Sequence, residues 1–351
     1  MAENQPRKVT ILDIAREMGV APSTVSNALS GKRYVDPALV EKVKATAQRL
    51  GYRPNPVARR LRSGRASAIG LFSAMPFAVA GGSSRLGFMM EIAATAAEEA
   101  MRAGLALVLV PPVEAASETL IDDLMIDGAL LVEPAEDDPF AARLEARGLP
   151  VMRIGRQPGR PEAPAVDLRS AETAELLLSH LADEGARNIA LITGAARRNS
   201  HLETEAAYAR FAEARGMTPI ARRVPEQDGE AGGHAAGLAL LKAHPELDAI
   251  LAMVDVFAAG VCRAGRELGR DIPGDLKVAT RYDGPRALAS DPPLTAVALG
   301  LPEVARQAVA QLIPTLAGAP GPAAEGAGAG PCLAAAPDAR LVIRASSRSG
   351  A

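Results

Sequence analysis

The sequence predicts an α/β protein with a small all-helical head in front of a two-lobed core of parallel sheets flanked by helices. Residues 9–50 carry helical periodicity and turn signals, whereas short apolar runs alternate with amphipathic stretches from Ile69 onward. The 351 residues exceed the roughly 250–300 at which a single core stops growing, so more than one domain is expected.

Charge divides the chain at Ala66. The first 66 residues hold 13 Lys+Arg and five Asp+Glu, and the remainder holds 26 and 36. A small basic head on an acidic body is typical of a polyanion-binding module attached to a body that does not bind polyanions. A basic face that is merely solvated is the alternative.

Three short helices are predicted in the head. Apolar residues recur at helical spacing from Ile11 to Met18, and Gly19 ends this first helix. Pro22 suits the first position of a second helix at about 22–30, where its missing N–H is not needed. Asp36 supplies the N-cap of a third helix. Two helices joined by a tight glycine-containing turn and backed by a third form a helix-turn-helix.

A further short helix is expected at about residues 55–62. Pro54 and Pro56 interrupt any longer helix, and one or two turns follow before Ser63-Gly64. A helix this short is marginal alone. We therefore expect it to form only against a partner.

The core alternates predicted strands with predicted helices, which favours two parallel sheets with helices on both faces and a ligand cleft between the lobes. The strands are expected at residues 69–73, 105–110, 128–133, 150–154, 188–193, 249–254, 276–282 and 294–299. The helices are expected at residues 86–103, 170–184, 203–215, 231–243, 256–269 and 302–316. The segment 317–337, rich in Gly, Ala and Pro, predicts a flexible surface loop, and Arg340–Ala345 predicts a last strand.

Composition excludes several classes of protein. Cys262 and Cys332 are the two cysteines, and their spacing matches neither a disulfide framework nor a zinc site. No apolar run approaches the roughly 18 residues of a membrane span, and the N-terminus has no apolar leader. We expect a cytoplasmic protein without a metal, a cofactor or a membrane partner.

Several motifs resemble the LacI/GalR family of repressors. In the head they are Val9–Ala15, Gly19-Val20, Ser23–Lys32 and Leu50–Arg59; in the core they are Asp255, Ala258, Gly260, Ile272-Pro273, Tyr282-Asp283 and Leu294-Thr295. The resemblance implies a regulator, usually a repressor, that binds a pseudo-palindromic operator as a homodimer. It also implies a core similar to periplasmic sugar-binding proteins, in which a small-molecule effector modulates DNA affinity.

The resemblance implies domain bounds as well as function. The DNA-binding head with its hinge helix is expected at 1–66 and the effector-binding and dimerisation core at 67–351, with a first lobe at about 67–167 plus 300–330 and a second lobe at about 168–299 plus the C-terminal strand. No leucine heptad follows Ile343, so a tetramer by that route is not expected, although dimer and tetramer both stay open.

DNA-binding residues carry over from the head motifs. They are Thr10, Pro22, Ser23, Thr24, Ser26, Asn27, Asn55, Val57, Ala58, Arg59 and Leu61. In the major groove the second helix reads bases with its N-terminal and outward residues, while Leu61 of the hinge helix enters the minor groove as a wedge. Ordinary solvent-exposed helix surface is the alternative for Ser23 and Ser26, and a core leucine is the alternative for Leu61. Asn27 replaces the family's common arginine, so the operator is expected to differ, since asparagine favours adenine.

Effector-binding residues carry over from the core. They are Arg198, Ser200, Asp255, Arg281 and Asp283. Asp283 falls on the acidic position that accepts ligand hydroxyl hydrogens, and Arg198-Asn199-Ser200 resembles the ligand loop of the purine repressors. A solvated loop arginine is the alternative for Arg198.

Three departures from the family leave the effector open. Thr204 stands where the family has an arginine, Val254 where it has a polar residue, and Arg281 where it has a glycine. A sugar, a phosphorylated sugar and no effector at all remain possible.

Two other functions compete with a ligand-controlled regulator. One is an enzyme, for which Ser200-His201 with Glu203 is the best candidate for a catalytic group. Neighbours on one loop do not supply the converging nucleophile, base and orienting group of acyl transfer, so no catalytic residue is assigned. The other is a constitutive DNA-binding factor that has lost ligand control, which the three departures favour.

Overall fold

The structure is a computed structural model that describes residues 9–31, 33–52, 65–76, 79, 87–110, 121–316 and 333–348. The chain divides into two compact units, with the division between Ala66 and Ser67. We call them the head and the core and describe each by itself.

In its described residues the head has three helices, α1 (Ile11–Met18), α2 (Pro22–Ser30) and α3 (Pro37–Arg49). Asp36 caps α3 as predicted: its Oδ1 accepts hydrogen bonds from the backbone N–H groups of Ala38 and Leu39, at 3.0 and 3.1 Å. Gly19 ends α1 in the left-handed region with φ 64°, where glycine is favoured because it has no Cβ. Ile14, Val25 and Val43 are fully buried between the helices. These three side chains form the centre of a small apolar core.

The first lobe of the core is a six-stranded sheet in the order β11-β5-β4-β3-β1-β2, with every pair parallel. Its strands are β1 (Ala68–Phe72), β2 (Ala106–Leu109), β3 (Gly128–Val132), β4 (Val151–Ile154), β5 (Ala165–Asp167) and β11 (Leu333–Ala335). Its helices are α4 (Phe88–Arg102), α5 (Pro139–Ala146) and α11 (Leu301–Leu316). Helix α11 packs against α4, β3 and β4 and thereby returns the chain to this lobe.

The second lobe is also a six-stranded sheet, in the order β12-β10-β9-β8-β6-β7. Its strands are β6 (Ile189–Gly194), β7 (Ile220–Val224), β8 (Ala249–Ala252), β9 (Lys277–Tyr282), β10 (Thr295–Ala298) and β12 (Arg340–Val342). Its helices are α6 (Ser170–Asp183), α7 (Asn199–Ala214), α8 (Gly229–Ala243), α9 (Asp255–Glu267) and α10 (Pro285–Ala289). Strand β12 runs antiparallel to β10, and the other described pairs of this sheet are parallel.

Helices α8 and α9 approach closely because glycines lie where they cross. A Cβ on Gly260 would lie 2.4 Å from the Glu230 carbonyl oxygen, and one on Gly233 would lie 2.5 Å from the Phe257 Cα. These distances are to backbone atoms that cannot move aside. The crossing therefore excludes any side chain at either position.

The predicted fold class is confirmed, but several elements differ from their predicted positions. Sequence patterns missed α5, α10, β5 and the edge strand β7, in which Arg222 and Arg223 are exposed. Strand β11 lies inside the segment 317–337, so the predicted loop is wrong at 333–335; the rest of that segment through residue 332 lies outside the described residues. Helix α7 begins at Asn199, four residues before the predicted start at 203, and Arg198 is its N-cap with extended backbone.

Two findings apply to the described residues alone. No helix there is long and apolar enough to cross a membrane, and no group of acidic, histidine and cysteine residues there is arranged to hold a metal ion. Cys262 is buried and free, and burial raises the pKa of its thiol to about 12. Cys332 lies outside the described residues.

Candidate functional site

The head presents one end of α2 to solvent. Pro22 and Ser23 at its N-terminus are exposed, and three further predicted DNA-binding residues, Thr24, Ser26 and Asn27, are half-buried. The opposite face buries Val25 and Ala28 in the head's core. Helix α2 is therefore held from one side and leaves its N-terminal residues accessible, as a helix that enters a DNA groove requires.

Thr10 has a local role in α1. Its backbone N–H and its hydroxyl both donate to Asp13 Oδ2, at 2.8 and 2.7 Å, and Thr10 itself is exposed. These bonds satisfy groups at the start of the helix that have no intrahelical partner. The predicted hinge residues lie outside the described residues; they are Asn55, Val57, Ala58, Arg59 and Leu61.

A cleft of about 730 Å³, including its mouth open to solvent, lies between the two lobes of the core. It is lined by Met75, Val79, Gly87, Phe88, Met89, Glu133, Arg198, Ser200, His201, Glu226, Met253, Val254, Asp255, Arg281 and Tyr282. Most of these residues follow the carboxyl ends of β1, β3, β6 and β8 or lie at the end of β9. Ligands bind in open α/β sheets at this edge.

Glu133 lies at the centre of the cleft's polar groups. It follows β3 in a left-handed conformation with φ 49°, and its side chain is buried. Its Oε1 accepts a hydrogen bond from Arg281 Nη2 at 3.1 Å, and its Oε2 accepts one from the Ser200 hydroxyl. Burial alone would raise the pKa of Glu133, but the Arg281 guanidinium and the Ser200 hydroxyl hold it below its ordinary value. A buried, ionised carboxylate therefore joins two predicted site residues.

Arg198 and Glu226 form a second buried ion pair. The side chains are 3% and 4% exposed, and Arg198 donates from Nε and Nη2 to the two carboxylate oxygens at 3.0 and 3.1 Å. Its Nη1 donates to the backbone carbonyl of Glu133 in the first lobe. Arg198 is thus buried and paired, and the alternative of a solvated loop arginine is wrong.

Next to Arg198, the backbones of the two lobes meet. Ala135 and Arg198 form an isolated antiparallel β-bridge, and the Glu136 N–H donates to the Arg197 carbonyl at 2.9 Å. The side chains of Arg197 and Glu136 also form an ion pair at 2.5 Å. We call this contact, made of residues 135–136 and 197–198, the interlobe seam.

His201 and Asp255 complete the polar lining. The His201 Nδ1–H donates to the Ala196 carbonyl at 3.0 Å, and burial lowers the pKa of its imidazole. Asp255 is the first residue of α9, and Arg286 Nε lies 3.6 Å from its Oδ2. Burial raises the pKa of Asp255 in spite of that cation.

Aromatic side chains form one wall. The rings of Phe88 and Tyr282 contact each other edge to face, with centroids 5.5 Å apart. The Arg281 guanidinium lies 5.9 Å from the centroid of the Phe88 ring, within reach of a cation–π attraction. Phe88 begins α4 in the first lobe, whereas Arg281 and Tyr282 belong to β9 in the second. The wall therefore joins the lobes.

The structure brings together four of the five predicted effector residues, Arg198, Ser200, Asp255 and Arg281. Asp283 is the exception: its Oδ1 pairs with Arg344 Nη2 at 2.6 Å, and it is absent from the cleft lining. Tyr282, the last residue of β9, lines the cleft, whereas Asp283 lies just beyond that strand. Ser200 lies in the first turn of α7 and not in a loop.

Sequence reasoning missed the two buried carboxylates, Glu133 and Glu226, which hold the arginines of the cleft. Of the three departures, Val254 lines the cleft and Arg281 donates a hydrogen bond to Glu133. Thr204 is fully buried, and its hydroxyl has no hydrogen-bond partner among the described residues.

Two family models match the chain. One describes bacterial regulatory proteins of the lacI family and matches residues 10–55; the other describes a periplasmic binding protein-like domain and matches residues 178–347.

Curated relatives match over most of their length. The HTH-type transcriptional regulator IpsA of Corynebacterium glutamicum is 29% identical over 311 residues, which cover 80% of this chain and 85% of that protein. The HTH-type transcriptional regulator CelR of Thermobifida fusca is 28% identical over 306 residues, which cover 83% of this chain and 87% of that protein. These relatives are named as regulators, in agreement with the prediction that the chain is not an enzyme.

Solved structures share the fold. A structure of the transcriptional regulator CelR in complex with cellobiose is 25% identical, with a TM-score of 0.68 over 97% of this chain and all of that one. The lac repressor dimer bound to operator and the anti-inducer ONPF is 22% identical, with a TM-score of 0.75. The match covers 98% of this chain and all of that one. The helix-turn-helix head, the two-lobed core and these relatives together place the chain in the LacI family of bacterial transcriptional regulators.

Proposed function

We propose that this regulator is a repressor that binds a pseudo-palindromic operator as a homodimer and that a small molecule in the cleft modulates its DNA affinity. Two symmetric heads would read two half-sites, which is why a pseudo-palindrome is expected. Such a protein acts in the cytoplasm, where the DNA is. The head at 1–66 supplies the DNA contacts, and the core at 67–351 supplies the ligand site and the dimer contacts.

The accessible N-terminus of α2 is the observation that carries this proposal. Pro22, Ser23 and Asn27 are assigned to base edges, and Thr24, Ser26 and Thr10 to phosphates. Asn27 is assigned to adenine, because its amide can both donate to and accept from the adenine edge. The net charge of the first 66 residues supports an additional, sequence-independent attraction to phosphate.

The hinge segment is assigned to the minor groove on the family resemblance alone. Leu61 is the wedge between base steps, and Asn55, Val57, Ala58 and Arg59 accompany it. Unstacking a step costs a few kcal/mol, which the added contacts of a bent duplex offset. Leu61→Ala is therefore expected to weaken specific binding far more than non-specific binding.

The cleft is assigned to the effector, with Arg198, Ser200, Asp255 and Arg281 as its polar residues. Two lobes that meet around a ligand offer two arrangements of different ligand affinity. The solved structure of the similar regulator CelR in complex with cellobiose supports a small-molecule ligand. Linkage requires that operator DNA change effector affinity by the same factor by which the effector changes operator affinity.

The test is selection of genomic fragments by the purified full-length protein at 150 mM salt, roughly the physiological ionic strength, followed by competition with unrelated DNA. A shared palindrome bound at least about 10³-fold above non-specific DNA is the expected result. Asn27→Ala should relax preference at one base of each half-site, whereas Lys44→Ala, an exposed α3 residue paired with Glu41, should leave the sequence preference unchanged. Weak binding without a common sequence would overturn the proposal.

A further inference from the structure

We infer that Asp127 is a positioning residue for operator binding: its carboxylate fixes the backbone at Ser67, where the core begins, and thereby sets the spacing of the two half-sites that the dimer accepts. The inference rests on the proposed function, because it concerns how the proposed homodimer binds the proposed operator. Asp127 acts through the backbone of the core and does not itself contact DNA.

The Asp127 carboxylate binds the first two residues of the core. Its Oδ2 accepts hydrogen bonds from the backbone N–H groups of Ser67 and Ala68, at 2.6 and 3.4 Å. In return, the Asp127 N–H donates to the Ala68 carbonyl at 2.7 Å. Asp127 directly precedes β3 and Ala68 begins β1, so these bonds lie where two paired strands of the first lobe start. We call Asp127, Ser67 and Ala68 the junction clamp.

Ser67 has a left-handed backbone conformation, with φ 55°. This region is strained for a residue other than glycine, so surrounding contacts must hold Ser67 there. Two such contacts are the bond from its N–H to Asp127 and the bond that its carbonyl accepts from the Ala106 N–H at 2.9 Å. Because Ser67 is the first residue of the core, its dihedral angles set the direction in which the chain leaves the core toward residue 66.

The second lobe contains the same arrangement at a place where no head is attached. The Asp248 carboxylate accepts hydrogen bonds from the N–H groups of Arg187 and Asn188, at 2.9–3.0 Å, and the Asp248 N–H donates to the Asn188 carbonyl at 3.1 Å. In each lobe the aspartate directly precedes the strand that pairs with the clamped strand, β3 with β1 and β8 with β6. Asp248 therefore shares the structural role of Asp127 but not its position at the junction.

A short connection makes the direction of the chain at Ser67 important for DNA binding. The hinge helix is expected at about residues 55–62, which leaves residues 63–66 between it and the core. Four residues span at most about 14 Å. One base pair added between two half-sites moves them apart by roughly 3.4 Å and rotates them by roughly 35°. A connection with a fixed direction resists this change, whereas a connection that is free at Ser67 can follow it.

The experiment compares operators that differ only in the spacing of their half-sites. The operator selected from genomic fragments is synthesised with its original centre and with one base pair inserted or removed there. Full-length wild type, Asp127→Ala, Asp127→Asn and Asp248→Ala are titrated with each operator and with unrelated DNA, and urea unfolding reports the stability of each variant. Asp127→Asn is the conservative variant, because asparagine keeps a carbonyl oxygen and both bonds of the clamp go to one oxygen.

Freeing the backbone of one residue changes an equilibrium constant by roughly a factor of ten. Asp127→Ala should therefore bind the original operator about tenfold more weakly than wild type, and its preference for that spacing over the other two should fall by a similar factor. Binding to unrelated DNA should not change. Asp127→Asn and Asp248→Ala should keep the wild-type preference, although Asp248→Ala should destabilise the core about as much as Asp127→Ala.

A folded Asp127→Ala variant with the wild-type preference would overturn the inference. An equal loss of preference in Asp248→Ala would do the same, and so would a wild type that binds all three spacings alike. If Asp127→Ala does not fold, Ser67→Pro decides, because proline has no N–H to donate and fixes φ at roughly −65°. Ser67→Pro should lose the preference for the original spacing, and a folded Ser67→Pro variant that keeps it would overturn the inference.

The same titrations separate this inference from the proposed function. A wild type without a specific operator would overturn the proposed function, and the inference with it. Variants that match wild type on a confirmed operator would overturn the inference alone.

Discussion

The Tyr282 hydroxyl donates a hydrogen bond to Glu91 Oε2 at 2.7 Å and so joins β9 of the second lobe to α4 of the first. Burial and the neighbouring Glu91 carboxylate raise the pKa of the Tyr282 phenol, which keeps it a neutral donor. Tyr282 also lines the cleft. A ligand there contacts a residue that holds the lobes together.

Tyr282→Phe should lower the free energy of unfolding of the core by about 1–2 kcal/mol, because it removes a hydrogen bond to a charged group and leaves Glu91 partly solvated. Denaturant unfolding measures this. The variant should also respond differently to a cleft ligand, whereas Tyr208→Phe, which loses bonds inside the second lobe only, should not. Equal ligand responses in both variants would contradict a role for the Tyr282 bond between the lobes.

Arg198→Ala should destabilise the core by about 3–5 kcal/mol, because it leaves Glu226 buried without its cation. The adjacent Arg197→Ala breaks an exposed pair and should change the unfolding free energy by at most about 1 kcal/mol. Urea unfolding of the two variants separates these expectations. Similar values for both would show that burial of Arg198 does not set its contribution.

Acid should destabilise the core through His201. Its folded-state pKa is lowered by burial, so the unfolded chain takes up the proton first as pH falls. The free energy of unfolding should therefore decrease as pH falls below about 6.5, by at most about 1.4 kcal/mol per pH unit for one proton. His201→Gln should have a smaller slope between pH 7 and 5.

Another histidine bears on that measurement. Burial lowers the pKa of the His180 imidazole as well, so His180 keeps part of the slope in the His201→Gln variant. An unchanged slope in His201→Gln would rule out His201 as the titrating group.

Ile14→Ala should unfold the head, because Ile14 is 0% exposed at the centre of a small core and its truncation costs about 2–5 kcal/mol. Specific DNA binding should be lost at 25 °C, roughly the reference temperature of these free energies. The thermal transition of the core should stay in place. Leu12→Ala, on the same helix but 59% exposed, should leave the head folded. A head that survives Ile14→Ala would show that its stability lies elsewhere.

The sequence predicted the residues of the cleft better than it predicted the ion pairs among them. The resemblance assigned Arg198, Asp255 and Arg281 to the cleft, and the apolar runs before them marked the strands that they follow or end. Glu133 follows such a run without any motif, and 148 residues separate it from Arg281. A cross-lobe ion pair has no local signal. The pairing of Asp283 with Arg344 likewise has no local signal, because the two residues lie far apart in the sequence.

The sequence prediction missed strands where the local residue composition is not typical of a strand. Strand β7 carries arginines in its middle because an edge strand exposes them, and β11 has the small residues of the predicted loop. Both segments are strands because they pair with a neighbour, β7 with β6 and β11 with β5, although their local composition does not favour a strand.

The interlobe seam at residues 135–136 and 197–198 constrains how the core can open. Its β-bridge and its N–H to carbonyl bond belong to the backbone, so they do not depend on which side chains stand there. The Tyr282–Glu91 bond, in contrast, depends on one hydroxyl. Separating the lobes at the seam therefore requires breaking backbone hydrogen bonds, whereas separating them at the aromatic wall requires the loss of side-chain contacts.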